Sequence, residues 1–307
     1  MITKSRIPIR LTAALALNLA LSAVGLAQEH APNAPPLISH DELQKRLSDT
    51  KLRLVDSRPK ADYDKGHVPG AVWVDSKVFQ EISKPETIAD QSVWSQALAP
   101  LGIDLDTEVY LIDGAHQDAA RTWWLLSYAG VKHAGLVDGG FALWERQGRP
   151  VTSEVPTIAP RPLTVEFHPK RFATKADVKT AIAKGESQLL DIRSAAEYRG
   201  EKQQNAAARA GHIPTARSLD VHDLLDPDGK FLDPATQRQR LAQAGIAANR
   251  PAIVYSNSGS RASLAVFALR RLGIHARSYY YGLADWSKDA SEPVILGDKP
   301  GEYPRAK

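Results

Sequence analysis

The chain has 307 residues, 43% of them hydrophobic and 24% charged, the make-up of a globular protein long enough for two ordinary domains. The formal net charge is +4, but Lys4, Arg6 and Arg10 supply three of those charges, so the rest of the chain carries +4 − 3 = +1 and a nucleic-acid or acidic-membrane partner is not expected. There is no cysteine, which excludes disulfides, Cys-based zinc sites and iron–sulfur ligation and suits an oxidising compartment.

In chain order, the basic stretch MITKSRIPIR is followed by an apolar run, LTAALALNLALSAVGLA, that ends on small residues before QEH. This is the three-part layout of a secretory signal peptide, with the cut expected after Ala27. The run is short for a membrane anchor, and no other segment is long and apolar enough to span a bilayer. The mature chain is therefore expected to start near Gln28, off the membrane, in the periplasm or secreted. Residues 28–37, QEHAPNAPPL, are polar and Pro-rich and read as a flexible lead-in.

From Ile38 onward, strand-like and helix-like stretches alternate. LRLVDSR (52–58) and EVYLID (108–113) read as buried strands running into polar turns. ARTWWLLSYAG (120–130) has apolar residues at helical spacing and stops at Gly130, and AGLVDGG (134–140) is a further strand and turn. The alternation predicts an α/β fold with mainly parallel sheets flanked by helices. VPTIAPRPL (155–163) reads as a linker, after which the pattern begins again.

The second half repeats the first. Asp-x-Arg followed by Gly-His-Val/Ile-Pro occurs at 56–69 and again at 191–214, the second copy carrying an insertion, EKQQNAAARA. Asp113 to Gly130 and Ser256 to Gly273 are both 17 positions; Gly130 to Gly139 and Gly273 to Gly282 are both nine. Asp113 thus corresponds to Ser256, and the chain is a tandem duplication of one α/β domain.

IVYSNSGSRA (253–262) joins a short β-rich run to an apolar helix pattern beginning at Ser263. A loop leaving a strand and entering a helix aims backbone N–H groups and the positive end of the helix dipole at one spot. Gly259 permits a tight turn, and Arg261 adds forked donors with a fixed charge. Ser256, Asn257, Ser258, Gly259, Ser260 and Arg261 therefore form a candidate nest for a small anion. A cysteine at its first position would be driven toward thiolate and could carry a sulfane sulfur as a persulfide. Ser256 cannot: its hydroxyl does not ionise there and oxygen forms no transferable persulfide. Activating it would take an adjacent base, and no G-x-S-x-G elbow is present.

Together, Asp56-Ser-Arg58, GHVPGA (66–71), AARTWW (119–124), DGGFALW (138–144), DIRSAAEYRG (191–200), GHIPTA (211–216), VYSNSGSRAS (254–263) and YGLADW (281–286) resemble the rhodanese family, in particular its two-domain thiosulfate and 3-mercaptopyruvate sulfurtransferases. The resemblance spans residues 38–295 and implies a silent N-terminal domain, an active loop in the C-terminal domain beginning with Cys, and a site in the cleft between them. It divides the chain into a signal peptide (1–27), lead-in (28–37), first rhodanese-like domain (38–150), linker (151–166), second, active-loop domain (167–295) and tail (296–307).

The six-residue span from Ser256 to Arg261 is similar to sulfurtransferase loops and one residue shorter than those of related phosphatases. Arg193 and Arg199 match positions that help bind anionic substrate in relatives, and His67 matches a cleft histidine in some of them. For Arg193 an ion pair with Asp191 or Glu197 stands beside that role, and for His67 a backbone-bonded turn. Trp123, Trp124, Trp144 and Trp286 read as packing residues, and one tyrosine of 279–281 is expected to border the site.

The expected partners are a small anionic sulfur compound and a thiol or protein acceptor, with no nucleic acid; no cofactor and no metal site are expected, and the monomer is the default. Three readings stay open: a sulfurtransferase homologue that keeps the anion site without its nucleophile, an active enzyme whose cysteine has been exchanged for Ser256, and a hydrolase using Ser256 with His67 as base.

Overall fold

The computed structural model describes residues 34–114, 116–203 and 209–304; the signal-peptide expectation for residues 1–27 lies outside them. Domain 1 runs β1 (Leu37–Ile38), α1 (His40–Lys45), β2 (Leu52–Asp56), α2 (Lys60–Lys65), β3 (Val72–Trp73), α3 (Ser76–Ile82), α4 (Gln91–Leu98), β4 (Glu108–Ile112), α5 (Gln117–Tyr128), β5 (His133–Val137) and α6 (Gly140–Arg146). Domain 2 follows with α7 (Lys175–Lys184), β6 (Gln188–Asp191), α8 (Ala195–Arg199), β7 (Arg217–Ser218), α9 (Pro234–Gln243), β8 (Ala252–Tyr255), α10 (Ser260–Arg271), β9 (Ala276–Tyr279) and α11 (Gly282–Trp286).

Every ladder is parallel. The five-stranded sheet has the order β1-β5-β4-β2-β3 and the four-stranded sheet β7-β6-β8-β9. Read from its other end, the second order is β9-β8-β6-β7, which reproduces β5-β4-β2-β3. The missing β1 equivalent is reduced to one parallel bridge, Phe172 to Ser278. The central strands β4 and β8 are covered on both faces, which is why VYLI (109–112) and AIVY (252–255) are apolar without alternation.

The duplication extends beyond the Gly-His-x-Pro turns. His67 bridges antiparallel to Thr152, and His212 to Ile295, so a segment after each domain's last helix straps back over its turn. The stretch 151–166 begins as this strap and then lies along domain 1, with Leu163 and Val165 buried.

One spacing in the repeat corrects itself. Phe141 N–H donates to the Asp113 carbonyl and Leu283 N–H to the Ser256 carbonyl, both at 2.9 Å, so Gly282 corresponds to Gly140 and not to Gly139. Domain 1 carries one extra residue between Gly130 and Val137, and the Gly139-Gly140 pair disguises it. The helix after the loop also begins at Ser260 rather than Ser263.

One apolar core runs through both domains. Its centre is the packing of α5 on α10, where the Trp123 and Phe267 rings meet edge-on at 4.8 Å. Trp124, Trp144 and Trp286 are also buried as packing residues.

Candidate functional site

The loops after β4 and β8 hold the same place in the repeat but are bonded differently. In domain 1 the Asp113 carboxylate accepts N–H bonds from His116, Asp118 (2.9 Å) and Ala119 (2.8 Å). The side chain is the anion in its own loop's cradle. His116, at the N-terminus of α5, takes the left-handed conformation with φ 62°.

In domain 2 the corresponding N-terminal position is Gly259, with φ 46°. A Cβ there would lie 2.4 Å from the Tyr280 ring, so glycine is required by both space and backbone. Tyr280 is therefore the tyrosine that borders the loop; its carbonyl also accepts the Gly259 N–H at 2.7 Å. Tyr279 instead bonds Asp285, and Tyr281 crosses to the Ser83 carbonyl of domain 1.

Ser256 sits at the end of β8 with 1% exposure, in Asp113's place. Its Oγ bonds no described residue, histidines included, and the N–H groups of Asn257 and Ser258 donate to no described residue. Ser260 N–H turns to the Ser258 carbonyl at 2.6 Å. The cradle of domain 2 thus lacks the carboxylate that fills that of domain 1.

Arg261 is held by Glu197, which the sequence offered as a partner for Arg193 instead. Its two terminal nitrogens donate to both oxygens of Glu197, at 2.7 and 2.9 Å. Glu197 is buried and also accepts from Asn257 Nδ2 at 2.9 Å. Burial pushes its carboxyl upward, but the Arg261 fork and the Ser194 hydroxyl outweigh that and hold it down at about 2. The guanidinium therefore ties α8 to the loop, and its charge is matched in place. Glu197 was visible in sequence as the third residue of a capping box opened by Ser194, a local motif that does not announce its distant partner.

Arg193 is buried beside Asp191, its Nε 2.9 Å from Oδ1, and it donates to the Gly211 carbonyl at 2.7 Å. Arg58 in domain 1 makes the same set, to Asp56 and to the Gly66 carbonyl. A pattern shared with the other domain is a staple for the Gly-His-x-Pro turn. What Arg193 adds is a bond to Asn257 Oδ1 at 3.2 Å, so it also fixes the loop's second residue. Arg199 points elsewhere, to Glu201 at 2.7 Å and toward Asp298.

His67 is fully buried, stacked on Tyr63 at 3.7 Å, with its ring nitrogens on the Tyr63 and Glu154 carbonyls. His212 repeats this with Tyr198 and Lys299. The structure assigns both to turns and leaves His67 no free edge toward a cleft.

Domain 1 contributes Arg121 from α5, whose charge acts on Tyr280 beside the loop. Its Nη1 lies 3.3 Å from Asp118, and its Nε is buried without a hydrogen bond. Its position inside AARTWW made it look like one more residue of an apolar helix.

A family model described as "Rhodanese-like domain" matches residues 39–147 and 174–289, one copy over each sheet. The chain belongs to the rhodanese family. Among similar curated proteins, the sulfur carrier protein TtuD of Thermus thermophilus is 32% identical over 86% of this chain and 97% of its own length. The thiosulfate sulfurtransferase of Azotobacter vinelandii is 28% identical, with 85% and 97% covered. The probable 3-mercaptopyruvate sulfurtransferase of Pseudomonas aeruginosa is 29% identical, with 85% and 98% covered. Among solved structures, that of YnjE matches with a TM-score of 0.77 at 24% identity, covering 86% of this chain and 69% of that one. The 3-mercaptopyruvate sulfurtransferase SseA of Escherichia coli matches with 0.70 at 23%, covering 80% and 98%. These structures share the tandem rhodanese fold. This chain is a two-domain rhodanese whose loop, in a sequence without cysteine, starts at Ser256.

Proposed function

We propose that the chain is an exported member of the two-domain sulfurtransferases that keeps the small-anion cradle of domain 2 and does not turn over a persulfide. The observation that carries this reading is the pair of loops: domain 1 fills its cradle with the Asp113 carboxylate, and domain 2 places the short, neutral Ser256 at the same point. Sulfur transfer of the kind named for its relatives needs a sulfur nucleophile that accepts a sulfane sulfur and gives it up again. A serine hydroxyl stays protonated and has no such product. The anion would then be thiosulfate, 3-mercaptopyruvate or a similar compound, bound without turnover or offered to a thiol or protein acceptor. The hydrolase reading loses its base, because His67 is committed to two carbonyls.

Assays of thiosulfate:cyanide and mercaptopyruvate sulfur transfer test this directly. The chain as it stands is expected to be silent, and Ser256→Cys to rise at least about a thousandfold above it. That variant also bears on the reading in which a cysteine was exchanged, since restored activity requires the rest of the site to be intact. Substantial turnover by the unmodified chain overturns the proposal.

For binding, Ser256→Asp is the cleaner variant. Its carboxylate would occupy the cradle as Asp113 does in domain 1, so calorimetric binding of thiosulfate should vanish. Arg261→Ala should weaken binding too, although it also releases Glu197. Thiosulfate binding unchanged in Ser256→Asp places the anion elsewhere. N-terminal sequencing of the exported protein checks the cut after Ala27.

A further inference from the structure

At the opposite end of α10 from the loop, where α5 and α10 both finish, lies a cavity of about 650 Å³ between the domains. It is lined by Arg171, Arg270, Lys132, His133, His168 and Ser127, among others, and by no carboxylate among the described residues. Lys132 is answered by Asp106 at 2.8 Å. No carboxylate among the described residues answers the two arginines. Arg270 gives its Nε and one terminal nitrogen to the Ala276 carbonyl, a neutral acceptor. The Arg171 side chain bonds no described residue. Burial and the neighbouring Arg171 charge push Arg270 down to about 10, and burial lowers Arg171 as well.

Two guanidinium groups drawn out of water toward each other repel, and they stay charged at neutral pH. The negative ends of α5 and α10 offset part of this with fractional charge. They supply no group that both forks can grip. A tetrahedral dianion does, since each guanidinium offers paired donors to its oxygens. The cavity is within the size range of small-molecule sites and larger than a bare oxyanion requires. We infer that this cavity is a second anion site, taking a small organic molecule through a phosphate or sulfate group held between Arg171 and Arg270.

The test is calorimetric titration of the full chain with inorganic phosphate, pyrophosphate and ADP. Pyrophosphate or ADP should bind more tightly than phosphate, and Ser256→Asp, which fills the loop cradle, should leave that binding within twofold. Arg171→Gln and Arg270→Gln should each weaken it at least about tenfold, the loss of a charge-assisted contact. Without ligand, Arg171→Gln should melt about 2 °C higher, because a repulsion is removed. Binding unaffected by both arginine variants, or abolished by Ser256→Asp, overturns the inference. A lower melting point for Arg171→Gln does so too, since the guanidinium would then have an internal partner.

Discussion

Glu197 shows how one side chain decides what a loop can do. It absorbs the charge of Arg261, orients Asn257 and closes the capping box of α8. Its folded pKa, about 2, lies below its ordinary 4.5, so its contribution is fully present above about pH 4.5 and is lost as pH falls toward 2. A shift of that size corresponds to up to about 3 kcal/mol. Glu197→Gln should therefore be less stable by about 2–4 kcal/mol at pH 7, because Arg261 is left half-buried without its partner. Its urea midpoint should approach that of the parent between pH 4.5 and 2; a constant gap across that window contradicts the assignment. A second residue carries backbone strain: Thr215 sits at φ 68° where the first repeat has Gly70 at φ 80°. A β-branched residue pays for that conformation, and glycine does not. Thr215→Gly should gain about 0.5–1 kcal/mol, and Gly70→Thr should lose more, although a Cβ at Gly70 has room. Equal and negligible changes in chemical denaturation would show that neither backbone is strained.

At the scale of elements, the strands, α5 and the loop were legible because their signals are local: apolar runs, helical spacing and small polar residues at a strand end. The repeat was legible because its two copies keep Asp-x-Arg and Gly-His-x-Pro. The one-residue insertion before Val137 was not, because two adjacent glycines preserve the apparent spacing. The Nε2 partners of His67 and His212 were hidden for another reason: both are carbonyls, 87 positions away in each case, and a carbonyl leaves no mark on sequence. The fate of Arg261's charge likewise depended on a contact 64 positions distant. The loop's own geometry gives the element-scale prediction. Gly259→Ala must accommodate both φ 46° and a Cβ 2.4 Å from the Tyr280 ring. It should cost about 2 kcal/mol or more and displace Tyr280 from the loop. In the Ser256→Cys background it should reduce sulfur transfer with little change in substrate for the remaining activity; an unchanged melting point and rate would mean the loop repacks freely.

The whole molecule behaves as one folding unit if its domains share a core, and they do, although each also packs a smaller apolar cluster of its own. α5 of domain 1 and α10 of domain 2 share a single apolar cluster, with Trp124 stacked near Tyr280 at 5.0 Å and Trp123 edge-on to Phe267. Polar contacts cross the same boundary: Phe231 N–H to Asp138 at 2.9 Å, His116 to the Gly229 carbonyl at 2.7 Å, and Tyr281 to the Ser83 carbonyl at 3.0 Å. Neither domain can open at this boundary without wetting tryptophan, so the parent should show one calorimetric transition, with agreement between van't Hoff and calorimetric enthalpies. Phe267→Ala removes the ring that Trp123 packs on and leaves a cavity in the middle of the shared core, at a cost of about 3–5 kcal/mol. Because that cost falls on the coupling between domains as well as on domain 2, the single transition should split, with domain 1 melting last. Two transitions in the parent, or a single shifted transition in Phe267→Ala with matching enthalpies, would each show that the coupling does not reside in α5 and α10.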